Sequence, residues 1–150
     1  MQLETILTPE RCFCKMPGVS KKRFLTNTSE MIAEETQTLP ADQIYTALLA
    51  REQLGSTGIG NGIAIPHCRV PGCDKVTGAL VTLDEAIDFD AIDSRLVDLL
   101  FVLIVPAEEM EEHLKVLSAV ATLFHQEGFC ERLRKASSSQ ELYDIATSAQ

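Results

Sequence analysis

The chain has 150 residues, is 45% hydrophobic, and carries 13 Lys and Arg against 22 Asp and Glu, for a net charge of −9 at pH 7. A chain of this length buries roughly 68–70% of its unfolded surface around one core, so residues 1–150 are read as a single domain with no room for a second. The acidic balance and the absence of any Lys/Arg stripe disfavour binding to nucleic acid or anionic lipid, and the longest apolar run, Leu99 to Val105, is too short to cross a bilayer, so no membrane insertion is expected.

The start, Met1-Gln2-Leu3-Glu4-Thr5, lacks the basic and apolar regions of an export signal, which predicts a cytoplasmic protein. Five cysteines, Cys12, Cys14, Cys68, Cys73 and Cys130, make an odd count that argues against a disulfide framework and for free thiols. From Ser20, a plausible N-cap, the residues Phe24, Leu25, Thr28, Met31 and Ile32 share one helical face, and the helix ends near Thr36. Pro40 opens a second helix through Ile44, Ala47, Leu48 and Leu49, which Gly55 closes.

Gly55 to Gly62 holds four of the eight glycines, and no regular structure is expected there. Ile63-Ala64-Ile65 follows as a short strand stopped by Pro66, which leaves His67 at a strand end. Gly78 to Leu83 and Val97 to Val105 are further strands, the last fully buried. Pro106 is expected to begin a long helix with Met110, Leu114, Leu117, Ala121 and Phe124 on its apolar face and Glu108, Glu109, Glu111 and Glu112 in its first turns. A shorter helix carries Phe129, Cys130 and Leu133, and a last one opens on Ser138 and Glu141, spaced as a capping box. Interleaved strands and helices predict an α/β (α+β) fold, a mixed or partly parallel sheet with helices on both faces.

Three features carry possible chemistry. His67 stands where α/β folds place sites, and a neutral imidazole is a good nucleophile toward phosphorus; the alternative is a histidine that merely closes a strand. The glycines before it form no nucleotide-binding pattern, but they permit backbone N–H groups to approach an oxyanion; the alternative is a turn without a ligand. His113 shares a helix face with Val116, Leu117, Val120 and Phe124 and points inward, either as a satisfied core histidine or as a donor to a bound phosphate, whereas His125 is read as a surface residue. Cys12, Cys14, Cys68 and Cys73 with His67 do not have the spacing of a zinc site, and no metal or cofactor is expected. Residues 84–112 carry ten acids and one base, a segment expected to rim the site in part.

The run Gly55-Ser56-Thr57-Gly58-Ile59-Gly60-Asn61-Gly62-Ile63-Ala64-Ile65-Pro66-His67 resembles the phosphorylation-site signature of the IIA proteins of the phosphoenolpyruvate-dependent phosphotransferase system, in the mannitol/fructose and nitrogen-regulatory class. The likeness continues through Ala50-Arg51-Glu52, Ile87 to Asp93, Val97 to Phe101, Val105-Pro106 and Glu112-His113-Leu114, covering about residues 1–147. It implies that His67 accepts a phosphoryl group on Nε2 from an HPr-type phosphocarrier protein, making the chain an enzyme only in the sense of a phosphohistidine carrier. It further implies that Arg51 contacts the phosphate or the donor, that His113 lies beside His67 and steadies the phosphate, and that Thr57, Gly58 and Gly60 are further phosphate contacts. The stretch Leu7-Thr8-Pro9-Glu10-Arg11 and the lack of a fused segment resemble the regulatory branch, in which the phosphorylation state acts on partner proteins. Two other readings are a sugar-specific component relaying phosphate to a IIB protein and a binding module indifferent to phosphorylation. Cys68 stands where the family more often has Gly, so the backbone there should have an ordinary negative φ, and its thiol is either a redox switch or an inert buried group.

Overall fold

The computed structural model describes residues 2–108 and 110–148. After two short 3-10 turns the elements are β1 (Cys12–Met16), α1 (Lys21–Thr36), α2 (Ala41–Leu54), β2 (Gly58–Gly60), β3 (Ile63–Ala64), β4 (His67–Val70), β5 (Thr77–Ile87), β6 (Val97–Pro106), α3 (Met110–Phe124), α4 (Glu127–Lys135) and α5 (Ser139–Ser148). The sheet runs β1-β5-β6-β3-β2, with β4 also paired to β6. β1 is parallel to β5, β5 antiparallel to β6, and both β3 and β4 are parallel to β6, which makes the sheet mixed.

Alternation along β6 divides the core. Leu100, Val102 and Ile104 face one layer, packed with Phe24, Leu25 and Ile32 of α1 and Ile44 and Leu48 of α2. Leu99, Phe101 and Leu103 face the other, packed with Val120 and Phe124 of α3, Leu133 of α4 and Leu142 of α5. Helices therefore cover both faces, as the interleaved pattern predicts, and β6 is buried on both sides as its unbroken apolar run requires.

The helix starts follow local chemistry. Ser20 Oγ accepts from Arg23 N at 3.2 Å, and Ser138 Oγ accepts from Glu141 N at 3.1 Å. The return contact of a capping box is shifted by one residue, because the Glu141 carboxylate accepts from Ser137 N and Ser137 Oγ instead of Ser138 N.

Four expectations are corrected. The glycine-rich run is not irregular throughout: Gly58–Gly60 forms β2, antiparallel to β3 across a turn at Asn61 and Gly62. His67 begins β4 instead of ending a strand, since Pro66 interrupts a line that pairs with β6 at Ile63 and Ala64 and resumes at His67 opposite Leu103. Pro106 closes β6, and α3 starts only at Met110; Glu108 therefore precedes the helix, and Glu109 lies outside the described residues. Leu114 is 61% exposed despite its helical spacing, because it stands at the mouth of a cavity between α2 and α3.

Candidate functional site

The last turn of α2, the start of β4 and the first turns of α3 enclose a cavity of about 550 Å³. Ala47, Ala50, Arg51 and Leu54 come from α2, His67, Cys68 and Arg69 from β4, and His113, Leu114 and Leu117 from α3. The interruption at Pro66 is what places His67 here, at the sheet edge where helices from the two layers approach each other.

The His67 ring is held at both nitrogens. Nδ1 lies 2.7 Å from Ile65 O, and since a carbonyl only accepts, Nδ1 carries the ring proton. Nε2 is then the lone-pair nitrogen, and Arg51 Nε–H donates to it at 3.3 Å. Arg51 is itself anchored by a bond from Nη1 to Gly55 O at 2.9 Å. Burial pushes the His67 pKa below its ordinary value of 6.5; the Ile65 carbonyl opposes this, the Arg51 charge adds to it, and the Glu52 charge opposes it again.

The ring is thus neutral at pH 7 and stays so to a lower pH than a free histidine. In the unfolded chain the ring binds its proton first, so its contribution to stability is complete above pH 6.5 and is lost as pH falls through the lower folded-state value. A titration of His67 followed by its ring carbon-bound proton resonances should give a midpoint below 6.5, and a midpoint above that value would contradict the geometry.

His113 is buried, as its helix face predicts, and lines the same cavity. Its Nδ1 finds no hydrogen-bond partner among the described residues, a deficit that generally costs about 1–3 kcal/mol. His125 is exposed, as expected. Arg69 is a second cation on the cavity wall that the sequence pattern did not single out.

Thr57, Gly58 and Gly60 do not line the cavity among its described residues. The Thr57 N–H donates to both Glu52 carboxylate oxygens, and Thr57 Oγ1 bonds Glu52 Oε2 as well. The Gly58 N–H is taken by Ser56 Oγ at 3.0 Å. Gly58 is needed instead for close approach, because a Cβ there would stand 2.8 Å from Ala91 Cβ. None of the described acids of residues 84–112 lines the cavity either: Asp93 accepts from Asn61 N at 2.9 Å and Asp90 pairs with Lys21, both contacts that fasten the 88–93 segment to neighbouring elements.

The cysteines are all free. Cys12 belongs to one core layer and Cys68 and Cys73 to the other, so the sheet separates them, and no three metal-ligating side chains converge among the described residues. Cys68 takes an ordinary backbone conformation, as its side chain demands. Burial pushes its thiol up to about 12, with Cys73 adding to the effect, which leaves it protonated and a poor reductant of peroxide at neutral pH.

Residues 5–149 match the family described as phosphoenolpyruvate-dependent sugar phosphotransferase system, EIIA 2. The nitrogen regulatory protein of Pseudomonas aeruginosa is 47% identical over 150 residues, spanning 100% of this chain and 97% of that protein. Among solved structures, nitrogen regulatory protein IIA-Ntr from Neisseria meningitidis superposes with a TM-score of 0.90 at 39% identity, covering 97% of this chain and 99% of that one. IIA mannitol from Escherichia coli shares the fold, with a TM-score of 0.76 at 22% identity over 93% of this chain and 98% of that one.

Proposed function

Because this chain belongs to the phosphoenolpyruvate-dependent sugar phosphotransferase system EIIA 2 family, we propose that it is a regulatory phosphoryl carrier that takes a phosphoryl group on His67 Nε2 from the phosphohistidine of an HPr-type protein. The observation that carries the assignment is the bond from His67 Nδ1 to Ile65 O, which leaves the Nε2 lone pair in the cavity beside a guanidinium.

In the transfer, that lone pair forms a bond to phosphorus while the bond from phosphorus to the donor's imidazole nitrogen breaks, its electron pair returning to the donor ring. The donor ring, protonated beforehand on its other nitrogen, leaves neutral. The charge that the His67 ring acquires sits on the Nδ1–H side, against the Ile65 carbonyl. Arg51 stands beside the nitrogen that receives the phosphoryl group, and the place of His113 on the wall of the same cavity supports a role for that ring there. Phosphoryl transfer asks a protein for alignment and charge compensation, and two cations and two imidazoles on one wall supply them.

Leu54 at 84% exposure and Leu114 at 61% place apolar side chains at the mouth of the cavity, which suits coverage by the face of a protein donor. Its identity to the nitrogen regulatory proteins supports a role in which targets distinguish the two phosphorylation states, since the added negative charge falls between those two leucines. Among the described residues no helix is long and apolar enough to cross a membrane, and five free thiols fit the reducing cytoplasm where such donors work.

The test is intact mass spectrometry at alkaline pH after incubation with phosphoenolpyruvate, enzyme I and an HPr-type carrier. One phosphoryl group mapped to His67, and retained when a sugar-type IIB protein is added, is expected. Rapid draining to IIB would replace regulation by a sugar relay, and no phosphoryl group from active donors would overturn the carrier reading.

A further inference from the structure

Glu52 ends up where an acid is least favoured. It lies in the last turn of α2, at the negative end of the helix dipole, and its side chain is 3% exposed. Its carboxylate is compensated by Lys21 Nζ at 3.0 Å and by the Thr57 N–H at 3.1 and 3.2 Å, with Thr57 Oγ1 on the same oxygen that receives the shorter of these two bonds. Lys21 is in turn fixed over the Phe89 ring, 4.7 Å from its centroid.

From Thr57 the hydrogen bonds lead to the reacting ring. Ile65 N donates to Thr57 O at 3.0 Å, and His67 Nδ1–H donates to Ile65 O at 2.7 Å. Adjacent residues of α2 are thus linked to both nitrogens of one imidazole, Arg51 directly at Nε2 and Glu52 at Nδ1 through three hydrogen bonds by way of Thr57 and Ile65.

We propose that Glu52 is a positioning residue for phosphoryl transfer, which through Thr57 and Ile65 holds His67 in the Nδ1–H tautomer with Nε2 aimed into the cavity. The proposal rests on the reading of His67 as the acceptor. The contacts of this buried carboxylate fix the register between α2, the loop at 55–57 and the start of β4. Glu52 keeps a carboxylate shape in Glu52→Gln but loses its charge and one acceptor, so one Thr57 donor loses its partner.

Nitrogen-15 spectra of the His67 ring in wild type and Glu52→Gln, recorded beside thermal melts, test it together with the kinetics of transfer from the phosphorylated HPr-type carrier. Wild type should show the Nδ1–H form alone. Glu52→Gln should show a mixture with the Nε2–H form and transfer at least about tenfold more slowly at saturating donor, with KM for the donor little changed. Because the Glu52 charge raises the affinity of His67 for a proton, the His67 titration midpoint should fall as well.

Slower transfer with an unaltered tautomer, or an altered tautomer with unaltered transfer, overturns the proposal. Should Glu52→Gln fail to fold, the doubly substituted Lys21→Met, Glu52→Gln protein removes both buried charges and is read in the same two ways. A wild type that takes no phosphoryl group overturns the acceptor reading, and the ring spectra then still decide whether Glu52 orients His67.

Discussion

A His67→Ala protein is expected to acquire no phosphoryl group from its donor, and an Arg51→Ala protein to acquire one about a hundred- to a thousandfold more slowly than wild type. The first effect is absolute because no other described imidazole combines an anchored nitrogen with a free lone pair in the cavity: His113 has no partner on Nδ1, and His125 is exposed on another part of α3's end. The second follows from geometry, since the Arg51 guanidinium is tethered to Gly55 O and needs no reorganisation to meet charge arriving at Nε2. Arg51→Lys should recover only part of the rate, because an ammonium cannot hold Gly55 O and address Nε2 in one plane. Rapid-mixing measurement of single-turnover transfer, with circular dichroism to verify folding, distinguishes these cases. A phosphoryl group on His67→Ala, or an Arg51→Ala rate within a few-fold of wild type, would contradict the site as described.

Phe89→Ala is expected to cost about 3–5 kcal/mol and lower Tm by on the order of 10 °C. Phe89 is fully buried, meets Phe24 edge-to-face at 6.1 Å, and lies beneath Lys21 Nζ. Its carbonyl also accepts from Ser56 Oγ at 2.6 Å and from Lys21 Nζ at 3.3 Å. Truncating the ring empties space between α1 and the segment after β5 and releases the lysine that neutralises Glu52. Phe89→Leu, which retains most of the volume, should recover most of the stability. Chemical denaturation with an unchanged m-value is the measurement; a loss under about 1 kcal/mol for Phe89→Ala would show that the layer repacks.

What the sequence disclosed and what it concealed divide along physical lines. α1 is legible because the Ser20 cap precedes an apolar period, α2 because Pro40, a period and Gly55 coincide, and β6 because seven consecutive apolar residues have few other ways to be buried. The His67, Arg51 and His113 convergence was legible only through the resemblance of a contiguous motif. β1 was missed, because Cys-Phe-Cys-Lys-Met carries no clean alternation and its strand state comes from pairing with β5. β2 was missed because its glycines predict freedom, while pairing with β3 supplies the order. Glu52 showed no sign of burial, since the partner that makes burial tolerable, Lys21, is on a different helix. Thr57 as a phosphate contact came from the resemblance alone, and in the structure its hydroxyl and N–H both bond the Glu52 carboxylate.

The order of the sheet bears on how partners can attach. The long apolar strands β5 and β6 lie inside, while the borders are formed by β1 with five residues and by β2 and β4 with three and four. Short borders offer few free amides and carbonyls, so another chain gains little by extending the sheet. Attachment then falls to side-chain surfaces such as the cavity mouth, where Leu54 and Leu114 stand exposed. A protein that must receive its charge from one partner and deliver its message to another benefits from contacts that end quickly.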